Sequence, residues 1–255
     1  MKEGGVSQSP SRDHYSYTVY ADPETAHSFD DRRFGGPIGE LVASEQAHVL
    51  TSFVGEIGGR PVLDVGTGTG RAARLLARAG ARVTAIDASE EMLSVARRRA
   101  LDEELSISFA TGDVHRLGFG NRSFDVAISL RVLMHVPDWR GALAELCRVA
   151  DNLVVVDYPS AISFAALQAA VRRLAHGVGA RTEPYRVLSQ AAVAHELNKA
   201  GFRIRSIHRQ FFLPIALHKA IGSRRLTMAT ELLFQKVGLV DLFGTPVTLV
   251  AERCS

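Results

Sequence analysis

Several things are scarce in this chain, and each scarcity removes a class of protein. Cysteine occurs only at Cys147 and Cys254 in 255 residues, too few and too far apart for a disulfide framework or a thiolate metal site. Histidine does not make up the deficit. His14, His27, His48, His176, His195, His208 and His218 show no ligand spacing, so no metal is expected. No apolar run reaches the length of about 18 residues that a membrane span needs. The first 13 residues begin MKEGG and stay polar, without the apolar centre of a signal peptide. A cytoplasmic protein is the expectation, which the scarcity of cysteine fits. Excess charge is missing too. The formal net charge is +3 with an isoelectric point of about 9.1, far from the concentrated basic surface of a nucleic-acid binder. The arginine clusters at 97–99, 172–173 and 224–225 read as solvated helix faces. No internal repeat or low-complexity tract is evident.

What is present is a core. Hydrophobic residues make up 46% of the chain, enough for one large core and one domain, 14–255, after a disordered tail at 1–13. Short apolar segments of strand length stand at 62–65, 83–86, 105–109, 126–128 and 153–156, with 202–211 and 246–251 further on. Helical spacing fills the gaps: 38–53, 71–79 ending at Gly80, 90–100 after the cap Ser89, 139–149 after Asp138, and a helix from Ser189 to near Gly201. Alternation of this kind predicts an α/β fold, a doubly wound sheet with helices on both faces.

The stretch VLDVGTGTGR, Val62 to Arg71, carries the chemistry. A strand ends in Asp64 and runs into Gly66, Gly68 and Gly70, which let a ligand lie against the backbone where strand turns into helix. Glycine spacing alone leaves a dinucleotide open: Gly68, Gly70 and Ala73 satisfy the relaxed fingerprint, and Asp87 stands where the ribose-binding acid would. Asp64 favours another ligand. A carboxylate beside the turn repels a pyrophosphate but suits the ammonium group of S-adenosylmethionine (SAM), whose carboxylate would meet the N–H groups at the helix start.

With Asp64 in place, the pattern acid-x-Gly-x-Gly-x-Gly resembles the first motif of the class I SAM-dependent methyltransferases. VTAIDAS, ATGDVHRLGF and SFDVAISLRVLMHVPDW resemble the next three in order and spacing, and the AGF turn at Ala200 to Phe202 resembles the approach to the sixth strand. The likeness is greatest to the small-molecule branch that includes the ubiquinone and menaquinone C-methyltransferases. It implies a Rossmann-like sheet of order 3-2-1-4-5-7-6 with an antiparallel seventh strand. It also implies a cofactor site of Asp64, Gly66, Thr67, Gly68, Gly70, Asp87, Ala88, Met92, Asp113, Val114, Ser129 and Leu130, with Asp87 on the ribose and Asp113 and Val114 flanking the adenine. One departure concerns a distal turn: Ala150, Asp151 and Asn152 replace the branch's Lys-Pro-Gly-Gly.

A sulfonium methyl is already activated, so such an enzyme chiefly positions a nucleophile and excludes water. A base is needed only for an acceptor still protonated at neutral pH, and His135, just beyond strand four, is the candidate; His115 reads as a loop residue. Residues 14–37 concentrate Tyr15, Tyr17, Tyr20, Phe29 and Phe34 with Arg32 and Arg33 before a Gly35-Gly36-Pro37 turn, the composition of a lid over a sulfonium or adenine. Two stretches exceed what the sheet needs, 160–186 and 212–243, and read as a substrate cap. The second is expected to be a pair of helices, striped by Leu226, Ala229, Leu233, Val237 and Val240, with Leu217 and Ile221 on an apolar acceptor wall. The expected function is methyl transfer to a small, partly apolar or aromatic metabolite. Against it stand an NAD-dependent oxidoreductase and a non-catalytic SAM-binding protein. Nucleic-acid methylation is disfavoured, because Ser129-Leu130-Arg131-Val132 stands where a base-flipping loop would carry Asn-Pro-Pro-aromatic. Oligomeric state, acceptor identity and the methylated atom are not legible, and a homo-oligomer is left open.

Overall fold

The computed structural model describes residues 22–177 and 185–254. The tail at 1–13, the tyrosines at 15, 17 and 20 and the glycine-rich turn after residue 177 lie outside them.

Seven strands form one sheet: β1 (Pro61–Val65), β2 (Arg82–Asp87), β3 (Ile107–Thr111), β4 (Phe124–Ser129), β5 (Ala150–Tyr158), β6 (Phe202–Phe211) and β7 (Thr245–Arg253). Their order is β3-β2-β1-β4-β5-β7-β6, the arrangement the resemblance implies. The first five strands run parallel, and β7 is antiparallel to both neighbours. All five parallel strands therefore end on one edge, where ligands bind in such sheets.

Along β1 the side chains alternate between two cores. Leu63 and Val65 join Leu143, Leu146, Val193 and Leu197 of α5 (Trp139–Val149) and α7 (Gln190–Lys199). Val62 joins Leu50, Val54, Ala73 and Leu76 of α2 (Gly36–Val54) and α3 (Arg71–Arg78). Each of these side chains is nearly inaccessible, and covering a leucine fully contributes about 1.5–3 kcal/mol, so both faces of the sheet are fixed by burial. The caps read from sequence hold. Ser89 Oγ accepts the Met92 N–H at 3.1 Å at the head of α4 (Glu90–Asp102). Asp138 accepts from Arg140 and Gly141.

The amino-terminal segment is a helix, α1 (Pro23–Phe34), capped by Asp22. It is fastened to the sheet edge rather than left loose. Asp30 accepts the Thr69 hydroxyl at 2.9 Å and pairs with Arg99 of α4, while Ala26 packs with Met92 and Val95.

The cap departs from expectation in three ways. Residues 212–243 form three helices, α8 (Ile215–Ile221), α9 (Arg224–Lys236) and α10 (Leu239–Phe243), because Gly238 at φ 76° breaks the second half of the expected pair. The expected stripe is not covered along α9: Leu226, Leu233 and Val237 are 51, 59 and 63% exposed, and of its members Val240, now on α10, is the buried one. Leu217 and Ile221 are each 45% exposed and face away from the cleft. The buried faces of α8 and α9 hold a polar cluster instead. Glu231 accepts the N–H groups of Phe212 and Leu213 at 2.7 and 3.0 Å and bonds His218 Nε2 at 2.7 Å. The Thr227 hydroxyl meets His218 Nδ1 at 3.1 Å. On the amino-terminal side of this cluster, Phe212 stacks against Phe234 of α9 and Phe164 of α6 (Phe164–Gly177).

Candidate active site

At the end of β1 the chain reverses through Gly66, Gly68 and Gly70 with φ of 70, 56 and 79°, a region that side chains with a Cβ avoid. Each glycine serves a different end. A Cβ on Gly66 would lie 2.3 Å from Val132 Cγ2, and one on Gly70 would lie 3.0 Å from Ala96 Cβ. A Cβ on Gly68 would meet nothing within 4 Å, so that glycine looks into open space.

That space is a cavity of about 170 Å³ at the carboxyl edge of the sheet. Of the expected cofactor residues, Asp64, Gly66, Thr67, Gly68, Asp87, Ala88, Met92, Asp113, Val114 and Leu130 line it. Two do not. Ser129 is fully buried, because its hydroxyl donates to the Val65 carbonyl at 2.9 Å and joins β4 to β1. Gly70 is the N-cap of α3, packed against α4.

The acids of the site are held by the turn itself. Asp64, 2% exposed, accepts the Thr67 hydroxyl at 2.7 Å, and burial pushes its carboxyl up to about 6. Asp87 Oδ2 accepts the Gly68 N–H at 2.8 Å and Oδ1 accepts the Ser89 N–H at 2.9 Å; burial raises it as well. Asp113 Oδ1 meets His115 Nδ1 at 2.8 Å, so the loop histidine steadies an acid of the site.

The N–H groups expected to receive a carboxylate are largely engaged. Those of Gly66 and Thr67 donate to the Ile86 carbonyl and that of Gly70 to Thr67. Arg71, the last residue of the glycine motif, presents a further donor. It lines the cavity, its guanidinium lies 3.5 Å from the Phe34 ring centroid, and one arm donates to Gln46 at 3.3 Å. Its Nη1 is buried with no hydrogen-bond partner, which a carboxylate would supply. An open glycine, an acid near each expected polar group and an unmatched buried guanidinium fit SAM. Sequence reasoning passed over Arg71 although it stands inside the motif.

A second cavity, about 560 Å³, adjoins the first. The two share Phe29, Arg33 and Phe34 of α1, Gln46 of α2, and Arg131 and His135 of the loop after β4. His135 is 8% exposed and its backbone N–H donates to the Val132 carbonyl at 2.8 Å, which closes the loop into a turn. The far walls come from Asp157 at the end of β5, Phe164, Ala165, Gln168 and Arg172 of α6, Tyr185, and Pro214, Ile215, Ala216 and Lys219 around α8. The second cavity thus lies between the loop after β4, the amino-terminal helix α1 and the segments around α6 and α8. It is more polar than the expected apolar wall, because α8 turns Lys219 inward beside Ile215 and Ala216 while Leu217 and Ile221 point outward. Lys219 Nζ donates to the Arg32 and Arg33 carbonyls at 3.0 and 2.9 Å, tying the cap to the end of α1.

Comparison with known proteins agrees with this geometry. Residues 63–152 match the family described as "Methyltransferase domain". The demethylmenaquinone methyltransferase of Tropheryma whipplei (strain Twist) is 32% identical over 187 residues, covering 66% of this chain and 77% of that protein. The ubiquinone biosynthesis O-methyltransferase of Hahella chejuensis is 40% identical over 93 residues, covering 36% of this chain and 39% of that one. In fold, the chain resembles the magnesium protoporphyrin IX methyltransferase of Synechocystis PCC 6803 with bound S-adenosylhomocysteine (SAH). The TM-score is 0.64 at 20% identity, covering 92% of this chain and 98% of that one. With its sheet order, glycine turn and relatives in agreement, the chain belongs to the class I SAM-dependent methyltransferases, and SAM is its cofactor.

Proposed function

We propose that the chain methylates a small, partly apolar metabolite held in the second cavity, with SAM held in the first. The carrying observation is the shared wall: six residues belong to both cavities, so ligands held in the two would lie against the same side chains. The names of the relatives support a small acceptor, since both denote steps in quinone biosynthesis. Residues 14–255 would act as one domain in a cytoplasmic enzyme, with 14–37 as a lid and 160–186 and 212–243 as a cap.

SAM supplies a methyl already activated on a sulfonium, so the chain's work is to bind, orient and keep water out. Asp64 holds the ammonium, Arg71 the carboxylate and Asp87 the ribose hydroxyls, while Asp113, Val114 and Met92 border the adenine. Phe29 and Phe34 close the cavity from α1 and offer π-faces to a cation. His135 orients the acceptor where the cavities meet.

Calorimetry with SAM and with NADH, followed by assay of SAH release in the presence of a metabolite extract, tests this reading. SAM binding with extract-dependent SAH release is expected. Binding of NADH in place of SAM would favour the oxidoreductase, and SAM binding without turnover would favour a non-catalytic protein.

A further inference from the structure

The second cavity contains a carboxylate that cofactor binding does not use. Asp157 closes β5 at its carboxyl end, is 1% exposed, and lines the second cavity but not the first. Its Oδ1 accepts the backbone N–H of Arg131. Its Oδ2 is buried with no hydrogen-bond partner. A carboxylate oxygen withdrawn from water and left unmatched is costly, and such an atom beside a cleft is explained by a donor that arrives with a ligand.

Arg131, which Oδ1 grips, is unusual in its own right. It has φ 66°, a left-handed conformation uncommon for a residue with a Cβ. It lines both cavities, and its Nε is buried without a partner. The bent loop therefore places an unmatched guanidinium N–H where the two cavities meet and holds an unmatched carboxylate oxygen in the wall of the second. Among the described residues the charge around them is lopsided: Arg32, Arg33, Arg131, Arg172 and Lys219 line the second cavity, and Asp157 is the carboxylate that does. Such a field disfavours an acceptor that arrives as an ammonium and favours one whose reacting atom becomes negative.

Resting on the methyltransferase reading above, the geometry points to Asp157 as the catalytic base of an O-methylation, with its Oδ2 accepting the hydroxyl of the acceptor and Arg131 as the positioning residue that fixes Oδ1. The hydroxyl oxygen gives its proton to Asp157 Oδ2 and forms the bond to the methyl carbon. The carbon–sulfur bond breaks with its electron pair left on sulfur, so the sulfonium charge is discharged and the proton passes from the carboxyl to water after product release. Burial holds the Asp157 carboxyl above the ordinary carboxylate range, with Arg131 opposing, so its ionised form is lost as pH falls through that raised value. The titratable and charged groups that share its cavity are Arg32 and Arg33 of α1, Arg131 and His135 of the β4 loop, Arg172 of α6, Tyr185, and Lys219 of α8.

The test uses the full chain, methyl-13C-labelled SAM and a metabolite extract as the acceptor source, with Asp157→Asn and His135→Gln beside the wild type. Asparagine keeps the shape and the bond from Arg131, and unchanged melting and SAM affinity would show that Asp157→Asn folds. The wild type is expected to place label in a methoxy signal. Asp157→Asn is expected to lose about 100-fold in maximal rate and to lose the acid limb of the pH profile. Label in a C-methyl or N-methyl signal overturns the proposal, as does a rate for Asp157→Asn within about threefold of wild type. So does an acid limb that survives in Asp157→Asn and vanishes in His135→Gln. If the wild type neither binds SAM nor incorporates label, the methyltransferase reading itself fails, and this inference with it.

Discussion

The two halves of the cleft are built from different materials. The cofactor half is backbone: strand ends, three glycines at positive φ and acids that accept N–H groups of the same turn. The half proposed for the acceptor is side chain: Glu231 gripping His218 and two N–H groups, Lys219 on the carbonyls of α1, and Phe164, Phe212 and Phe234 packed together. Backbone geometry restricts which residues are tolerated, whereas many sets of side chains could tie three helices to a sheet. Chemistry common to a family is thus held where the chain has little freedom, and the acceptor is chosen where it has much.

The comparison breaks most sharply at Asp87. Because its carboxylate both braces Gly68 and is assigned the ribose, Asp87→Ala should weaken SAM about 100-fold, the loss of two charge-assisted bonds, and should also loosen the glycine turn. Calorimetry together with amide exchange of residues 66–70 checks both effects; unchanged SAM affinity would remove Asp87 from the site.

Glu231→Ala is the counterpart on the acceptor side. Two backbone N–H groups and a buried imidazole lose their partner, at a cost of about 3 kcal/mol. The acceptor Michaelis constant should rise while the SAM dissociation constant stays within about twofold. A comparable fall in SAM affinity would mean that the two halves are not separable.

A smaller effect is expected from pH. Asp64 has its carboxyl raised to about 6, so SAM affinity should fall by up to about tenfold per unit as pH drops below that value and the carboxylate facing the ammonium is neutralised. For folding without ligand the sign reverses. A carboxyl raised in the folded state contributes stability that is present below the ordinary carboxylate value and lost as pH rises through about 6. Titrations of the wild type and Asp64→Asn, with and without SAM, separate the two trends.

The smallest effect belongs to Leu217 and Ile221. Since both face solvent, replacing them with serine should leave acceptor kinetics within about twofold. A large rise in the acceptor Michaelis constant would place them in the cleft, and a changed sedimentation rate would place them in an interface between copies.

The fold, and ten of the twelve residues expected around the cofactor as lining of the first cavity, were legible because both rest on backbone requirements. Alternating apolar segments marked the strands, and acids at strand ends beside glycine marked the turn. Ser129 has its place in the fourth motif, but its hydroxyl is engaged by the Val65 carbonyl of β1. The cap misled for a related reason. Helical spacing of apolar residues was read as a covered stripe, whereas the covered face of α9 carries Thr227 and Glu231, which periodicity counts as polar. Asp157 left a signal that could have been used, since VVVDYPS ends a strand in an acid just as VLDV and TAID do. Arg131 left none, because its importance comes from a backbone angle that nothing in its neighbours demands.

The claim that unites these results is that one ligand joins the two halves, lying on the glycine turn with its reactive end at the shared wall. A crystal structure with SAH tests it most directly. The account predicts the ribose on Asp87, the carboxylate on Arg71, and the sulfur facing the second cavity beside Arg131 and His135. Density for SAH elsewhere, or a sulfur turned away from that cavity, would contradict it.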